Sequence, residues 1–387
     1  MENFEFVSPT HFVFGKGAEE QVGSKLAERG ARTVLLHFGG QSAVKSGLID
    51  RVKASLDAQG IKHVELGGVR PNPEITLARE GIALCKEHDV DWVLAVGGGS
   101  TIDCAKAVAA GVTCEGSAWD MVTKKAPIKS ILPIIAVLTI AATGSEMDTS
   151  AVISNMETHE KVGVSAPGMR PVVSIMDPEY SFTVSKFQTA AGTADIMSHV
   201  MEVYFNNHPD AYLQNRFAEA VLKTCVKYGH RAWQQPDDYE ARANLMWASS
   251  WAINGLLTKG APVGWSVHPM EHELSAYYDV THGAGLAVMF PAWMEFVYDA
   301  NPARFAYYGR EVFGLAPTGD VNADALSAID ETRSFFASLG MPITLAELDV
   351  EEDDIKAKFE DGVLKIAVPK KQEQPKLEEK KTISIEG

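Results

Sequence analysis

Three histidines and two glutamates fall within one short stretch of this sequence. His268, His272 and His282 alternate with Glu271 and Glu273 in the segment SVHPMEHELSAYYDVTHG. Imidazole nitrogens and carboxylate oxygens are common ligands of zinc and iron in proteins. The stretch therefore admits three interpretations: a metal site inside an oxidoreductase, the H-x-x-E-H zinc box of an inverted metallopeptidase, or polar residues on a solvated helix face.

A second pair of candidate ligands lies upstream, in the segment AGTADIMSHVMEVYF. Asp195 and His199 are four residues apart, so a helix would place both side chains on one face and within reach of one ion. Together with His268 and His282 they make a shell of one carboxylate and three imidazoles. Such a shell suits Fe(II) or Zn(II) rather than Ca or Mg, and an open coordination position could polarise a substrate oxygen.

The metallopeptidase interpretation requires His268 and His272 to bind zinc together, with Glu271 as the general base. Pro269 lies inside that box, where a helix tolerates proline only in its first turn. The interpretation also leaves the glycine-rich segments upstream without a role. The oxidoreductase interpretation is therefore favoured.

Apolar runs in the first half of the chain end at glycine- or hydroxyl-rich segments. TVLLHF runs into GGQS, WVLAV into GGGS, and IIAVLTI into AATGSE. Apolar runs that stop at glycines before a helical pattern are typical of buried parallel strands. The pattern predicts an open α/β sheet with a ligand site at the carboxyl ends of its strands.

The same loops indicate where a dinucleotide could bind. Glycines in Gly97–Ser100 would let the backbone approach a phosphate at a helix N-terminus, although the spacing is not G-x-G-x-x-G. Gly39–Ser42 has no carboxylate to repel a 2′-phosphate and has Lys45 nearby, which favours NADP over NAD. The hydroxyls of Thr139 and Thr143 suit phosphate or the nicotinamide amide. Plain turns and helix caps remain the alternative for all three loops.

Composition predicts a soluble globular protein. The chain has 387 residues, of which 46% are hydrophobic and 22% charged, and its length suggests two domains. The net charge of −16 argues against nucleic acid or a membrane surface as a partner. There is no apolar run of membrane-spanning length and no signal-peptide pattern, and the four cysteines are dispersed. We therefore expect a cytoplasmic protein with reduced thiols.

Changes in the residue pattern divide the chain into three parts. Residues 1–184 alternate strand-like and helix-like segments and form the predicted α/β dinucleotide-binding domain. Residues 185–350 have helical spacing with little strand character and form the predicted metal-binding domain. Pro178 and the hydroxyl residues after it mark the boundary. Residues 351–387 are rich in lysine and glutamate and form an atypical charged tail.

Several of these motifs together resemble the iron-containing alcohol dehydrogenase family. GGGSTIDCAK, AATGSEMD, AGTADIMSHVME and SVHPMEHELSAYYDVTHGAGLAVMFPAWM carry the resemblance, which covers residues 1–350 and is nearest to the NADPH-dependent butanol dehydrogenase branch. It implies a Rossmann-like parallel-sheet domain followed by an all-helical domain, as in the dehydroquinate synthase-like fold. It also implies a homodimer that interconverts small primary alcohols and aldehydes with NADP(H).

The resemblance implies a role for individual residues. It places the metal ligands at Asp195, His199, His268 and His282, and it makes His272 a proton-relay residue rather than a ligand. The implied cofactor contacts are Gly39, Gly40, Ser42, Asn72, Gly97, Gly98, Ser100, Asp103, Thr139, Thr143 and Lys161. The metal would polarise the aldehyde oxygen, the nicotinamide would supply hydride, and a proton would arrive through His272 or from water.

Two positions bear on specificity. Gln41 replaces the third glycine of the branch's first loop, where its side chain would either crowd a 2′-phosphate or donate to it. Trp251 and Phe290 suggest a small apolar aldehyde, but we expect both in the core rather than in the pocket.

The tail beyond residue 353 resembles the end of a small heat-shock protein. It contains a GVL-x-I strand and an I-x-I element at Ile383–Ile385. A joining of two genes is favoured over a natural fusion or a chance likeness. A helical domain without the family's last helices would expose apolar surface. The alternative function is an inactive dehydrogenase whose I-x-I element recruits a chaperone-type partner.

Overall fold

The structure is a computed structural model that describes residues 1–205, 210–261, 263–350, 356–360 and 363–367. The strands are β1 (His11–Phe14), β2 (Thr33–Phe38), β3 (Lys62–Leu66), β4 (Trp92–Gly97), β5 (Ile134–Leu138), β6 (Ser150–Asn155), β7 (Glu160–Ser165), β8 (Val173–Met176), β9 (Lys356–Glu360) and β10 (Val363–Ala367). The helices are α1 (Val22–Ala27), α2 (Gln41–Lys45), α3 (Leu48–Asp57), α4 (Ile75–Glu87), α5 (Gly99–Gly111), α6 (Ala118–Val122), α7 (Lys186–Tyr204), α8 (Tyr212–Gln234), α9 (Tyr239–Ile253), α10 (Val267–Tyr278), α11 (His282–Val297), α12 (Pro302–Tyr308) and α13 (Val321–Ser338).

Six strands form one parallel sheet in the order β1-β8-β5-β4-β2-β3. The runs predicted as buried strands are neighbours in it, as β2, β4 and β5, and every residue of β4 and β5 is buried. Their apolar side chains are covered on both faces, which is the usual setting of a parallel sheet. The predicted open parallel sheet is confirmed, and its carboxyl edge carries the three predicted loops.

Helices cover both faces of the sheet. On one face, α1 and α3 contribute Leu26, Val52 and Leu56 to a core shared with Leu36 and Val96 of the strands. On the other face, α4 and α5 pack against alternate residues of the same strands. Because the sheet is anchored on both sides, its carboxyl edge is a rigid base for a ligand site.

The antiparallel hairpin of β6 and β7 stands apart from the main sheet. The sequence analysis did not predict it. The hairpin packs on α5 of its own domain, and β7 also contacts α10 of the helical domain. This places a loop of the α/β domain directly against the histidine-rich segment.

The helical domain is built around α7. Every residue of this helix from Thr189 to Tyr204 is buried, as expected for a helix enclosed on all sides by others. Helices α8, α9 and α11 pack directly on it. The last strand of the sheet ends at Met176 and α7 begins at Lys186, on either side of the predicted boundary.

The described part of the tail consists of β9 and β10, which pair antiparallel. The predicted I-x-I element at Ile383–Ile385 lies outside the described residues. No helix within the described ranges is long and apolar enough to cross a membrane.

Candidate metal centre and cofactor cleft

The central helix α7 presents Asp195 and His199 on one face. The distance from His199 Nδ1 to Asp195 Oδ1 is 3.4 Å, and both side chains are buried. The four-residue spacing produces this arrangement directly, because side chains at i and i+4 lie one above the other on a helix.

Two further histidines reach the same point from α10 and α11. His268 lies in the first turn of α10 and His282 is the first residue of α11. Asp279, which caps the end of α10, has a left-handed φ of 51°, and this lets the chain turn back within three residues. As a result the ring of His268 lies 4.6 Å from that of His199, centroid to centroid, and 5.5 Å from that of His282.

The polar atoms of three of these four side chains converge on one point. His199 is not part of this close group, although its Nδ1 lies 3.4 Å from Asp195 Oδ1. Single ligand atoms of Asp195, His268 and His282 all lie within 4.8 Å of one another. Within the described residues, Asp195 Oδ1, His199 Nδ1 and His268 Nε2 are buried and have no hydrogen-bond partner. Each unpaired buried polar atom costs about 1–3 kcal/mol, a cost that a shared metal ion would remove. The set of one carboxylate and three imidazoles fits Fe(II) or Zn(II).

Burial keeps the cluster in a form that suits metal binding. It lowers the pKa of His199 and His282 well below the ordinary histidine value, so both imidazoles are neutral and have free lone pairs. Burial also raises the pKa of Asp195 to about 7. A divalent cation between these groups would favour the carboxylate form of Asp195, since an adjacent positive charge stabilises the anion.

Glu202 orients His268. Its carboxylate lies 2.9 Å from His268 Nδ1, and it also accepts from the backbone N–H of Val267 at 2.9 Å and from that of Ser266. It therefore fixes the imidazole with Nε2 toward the other ligands and caps the positive end of α10. The sequence analysis missed this residue. Its position on α7, seven residues after Asp195, was the available signal.

Glu271 orients His282 in the same way that Glu202 orients His268. It is fully buried and accepts hydrogen bonds from His282 Nδ1 and Ser275 Oγ, and Lys161 Nζ lies 3.6 Å from it. Pro269 lies in the first turn of α10, where a helix tolerates proline, so this residue does not argue against the metallopeptidase interpretation. A carboxylate held in this way is nevertheless unavailable as a general base.

A glycine lets α11 approach α7 closely enough for His282 to join the site. A Cβ on Gly283 would lie 2.0 Å from the carbonyl oxygen of Ala191, one turn before Asp195. No side chain fits in that gap, so the close packing of the two helices depends on this glycine.

A cleft runs from the candidate metal ligands along the carboxyl edge of the sheet as three overlapping cavities. The metal-side cavity (about 240 Å³) includes Lys161, His268 and His272 among its lining residues. The middle cavity (about 240 Å³) shares Asn72 and Ser100 with it. The outer cavity (about 320 Å³) shares Gly98, Ile140 and Gln188 with the middle one. The shared walls make one elongated space between the two domains.

Most of the predicted cofactor residues line this cleft. Ser42, Gly98 and Thr139 line the outer cavity, while Asn72, Gly98, Ser100 and Thr143 line the middle one. Asn72, Ser100, Asp103, Thr143 and Lys161 line the metal-side cavity. Gly39, Gly40 and Gly97 lie at the ends of β2 and β4 and line none of the three.

Asp103 and Asn72 also have partners within the protein. Asp103 accepts from Ser145 Oγ at 2.5 Å and from the backbone N–H of Val152 at 2.9 Å. Asn72 Nδ2 donates to Asp279 Oδ1 at 2.9 Å and thereby joins the α/β domain to the turn before α11. Both residues therefore have a structural task at the wall of the cleft.

The wall nearest the candidate ligands is apolar on one side. Ile253 and Trp265 line the metal-side cavity, and His272 lies beside them with its ring 5.5 Å from that of His282. Trp251 and Phe290 do not line it, in agreement with their expected place in the core. Polar atoms of Glu271, His272 and His282 form a second close group, so His272 is adjacent to the candidate ligand His282.

Comparison with known proteins identifies the class of this protein. Residues 9–178 match the family model for iron-containing alcohol dehydrogenase, and residues 189–383 match the model for the C-terminal part of the Fe-containing alcohol dehydrogenase family. The second match extends into the tail, past residue 350. The chain belongs to the iron-containing alcohol dehydrogenase family. It is an NAD(P)-dependent enzyme of alcohol and aldehyde oxidoreduction.

Three similar proteins span nearly the whole chain. NADH-dependent butanol dehydrogenase A of Clostridium acetobutylicum is 52% identical, with 92% of each chain covered. NADPH-dependent aldehyde reductase YqhD of Escherichia coli is 36% identical, also with 92% of each covered. The crystal structure of an NADH-dependent butanol dehydrogenase A from Thermotoga maritima is 44% identical and superimposes with a TM-score of 0.89, covering 92% of this chain and 88% of that one.

Proposed function

We propose that this protein reduces small aldehydes to primary alcohols, and catalyses the reverse reaction, with one divalent metal ion held by Asp195, His199, His268 and His282. The convergence of buried, unpartnered ligand atoms at one end of the cleft carries this proposal. A bound Fe(II) or Zn(II) would act as a Lewis acid on the substrate carbonyl. The names of the similar butanol dehydrogenases and aldehyde reductase support this substrate class.

The remaining residues of the cleft take further roles in the proposed reaction. The glycine loop after β4 holds the phosphates of the dinucleotide, with Ser42 of the loop after β2 at the outer end of the cleft. Thr143 and Lys161 hold its nicotinamide end. Ile253 and Trp265 enclose a small apolar substrate and exclude water from the reacting carbon. His272 transfers a proton between the product oxygen and solvent, because it lines the cavity beside His282.

NADP(H) is the proposed cofactor on local chemistry, although the names of the relatives differ on this point. Neither Gln41 nor its neighbours at the end of β2 offer a carboxylate to the ribose 2′-OH. The more similar butanol dehydrogenase is named NADH-dependent, and the less similar aldehyde reductase NADPH-dependent. Comparison of kcat/KM for the two cofactors decides the preference. Gln41→Asp should shift the ratio of the two kcat/KM values toward NADH by about tenfold or more. An unchanged ratio would mean that the ribose of the cofactor does not bind next to residue 41.

The proposal also includes a two-domain organisation and a dimeric assembly. Residues 1–184 form the cofactor domain and residues 185–350 the metal domain, and the active protein is a cytoplasmic homodimer. Sedimentation would test the dimer. The described part of the tail provides no support for the alternative, an inactive dehydrogenase whose tail recruits a chaperone-type partner. Deletion of residues 368–387 separates the two: the enzyme should keep its turnover, whereas the alternative predicts no turnover and the loss of a partner.

The decisive experiment is reduction of butanal by NADPH and NADH, with metal-stripped protein reloaded separately with Fe(II) or Zn(II). We expect turnover to return with one of the two ions and to be absent from the stripped protein. Folded, metal-loaded protein that reduces neither butanal nor other short aldehydes would overturn the proposal.

A further inference from the structure

The two histidines with carboxylate partners differ in one respect. Glu202, which orients His268, is surrounded by backbone N–H donors and has no cation among its described contacts. Glu271, which orients His282, has Lys161 Nζ at 3.6 Å. The otherwise similar pairs therefore differ by one buried positive charge.

Lys161 reaches this point from the other domain. It lies on β7, in the hairpin that contacts α10, and its side chain is only 5% exposed. Its Nζ has no hydrogen-bond partner among the described residues, and it lines the metal-side cavity. At the turn of the same hairpin, the ring of His159 stacks on that of Tyr277 of α10 at a centroid distance of 5.8 Å. The hairpin thus delivers the ammonium group to Glu271 across the domain boundary.

A cation next to a carboxylate weakens that carboxylate as a hydrogen-bond acceptor. His282 donates its Nδ1–H to Glu271, and the strength of this bond sets how much electron density the other ring nitrogen offers to a metal ion. We propose that Lys161 acts through Glu271 as a positioning residue that reduces the donor strength of His282. This inference rests on the proposed function, because it takes His282 as a ligand.

As a consequence, the site would hold a metal ion less tightly but leave it a stronger Lewis acid. A weaker imidazole donor would transfer less charge to a bound cation, which would then polarise a substrate oxygen more strongly. His268, whose partner Glu202 has no such cation, is the strong donor that retains the ion. One domain thereby adjusts the reactivity of a centre whose proposed ligands all lie in the other domain.

The test is the affinity for Co(II), measured by competition with a chelator and by the visible absorption of the bound ion. Lys161→Met removes the charge and keeps most of the side chain's length. We expect it to tighten Co(II) binding about three- to tenfold and to shift the absorption bands. Lys161→Arg keeps the charge and should leave the affinity close to that of the unmodified protein.

A structural role for Lys161 predicts the opposite sign. If the residue only held the hairpin on α10, its removal would loosen the site and weaken Co(II) binding. Weaker or unchanged binding by a folded Lys161→Met protein would overturn the proposal. Thermal unfolding of both lysine variants shows whether they are folded.

Double variants show whether the effect passes through Glu271. Glu271→Gln and the control Glu202→Gln should each weaken Co(II) binding about 10- to 100-fold. Lys161→Met should have little further effect in the Glu271→Gln background and its full effect in the Glu202→Gln background. An equal effect in both backgrounds would mean direct repulsion of the ion and would overturn the relay.

The unmodified protein separates this inference from the proposed function. If it binds no Co(II), the ligand set itself is wrong and both proposals fail. If it binds Co(II) and Lys161→Met does not tighten that binding, only the present inference fails.

Discussion

The helical wall of the cleft carries the proposed metal ligands, whereas the α/β wall includes glycine loops at the ends of two strands. On the helical side, polar atoms of Asp195, His268 and His282 meet at one point, with His199 beside Asp195. Glu202 and Glu271 hold the rings of His268 and His282. On the α/β side, strands end in glycines that leave room for a ligand next to helix N-termini. Removal of a side chain from the helical wall should therefore abolish metal binding and turnover. Addition of a side chain to the α/β wall should weaken cofactor binding only in part.

The largest effect is expected from the loss of a ligand. His268→Ala should leave the protein without tightly bound metal and should lower kcat/KM by about a thousandfold or more, because Lewis-acid stabilisation is lost. Metal content after dialysis and aldehyde reduction measure the two effects. His272→Ala, one turn further along α10, is the control and should retain the metal. Full metal content in the His268→Ala protein would remove this residue from the ligand set.

The helical wall should also be sensitive to one added methyl group. Gly283→Ala would place a Cβ 2.0 Å from the carbonyl oxygen of Ala191, so α11 must move away from α7. We expect a loss of about 2–3 kcal/mol in the free energy of unfolding, measured with urea, together with weaker metal binding. Gly163→Ala in β7 is the matched control, because nothing lies within 4 Å of the added Cβ. Equal stability of the two variants would show that the helices can adjust.

A buried acid between the two walls should make stability depend on pH. Burial raises the pKa of Glu146, which accepts from Ser250 Oγ at 2.5 Å, from 4.5 to about 7. The folded state thus holds this proton more strongly than the unfolded state. The contribution of Glu146 to the free energy of unfolding is therefore fully present below pH 4.5 and is lost as the pH rises through 7. Glu146→Gln mimics the protonated form and should reduce that loss by about 2 kcal/mol. Urea unfolding between pH 4.5 and 8 measures it, and parallel curves for the two proteins would contradict the assignment.

The smallest effect is expected where the α/β wall faces open space. A Cβ on Gly40 would meet no atom within 4 Å, and its φ of −75° is ordinary for any residue. Gly40→Ala should therefore leave stability within about 0.5 kcal/mol and raise the KM for the dinucleotide about threefold, because Gly40 lies two residues before Ser42 of the outer cavity and not in its lining. Gly98→Ala is the contrasting variant, because its Cβ would lie 2.5 Å from Ile140 and should cost stability as well. An unchanged KM in Gly40→Ala would place the phosphates away from this loop.

The sheet could be predicted because its signals are local. Apolar runs that end at glycine- or hydroxyl-rich segments became β2, β4 and β5, which are neighbours in the parallel sheet. The hairpin of β6 and β7 was missed because its residues are neither uniformly apolar nor clearly alternating. Its place is decided by packing against α5 and α10, which a single segment does not reveal.

The sequence by itself allowed us to propose the four ligands and to place Asp195 and His199 on one helix face. Side-chain type and i,i+4 geometry are local properties, so they can be read without the fold. The sequence also contained Glu202 and Glu271, but nothing local assigned each acid to its histidine. That assignment depends on how α7, α10 and α11 pack, which joins residues as far apart as Glu202 and His268. The tertiary structure alone decided that Gly283 permits this packing and that Lys161 approaches Glu271 from the other domain, because both contacts arise only when distant surfaces meet.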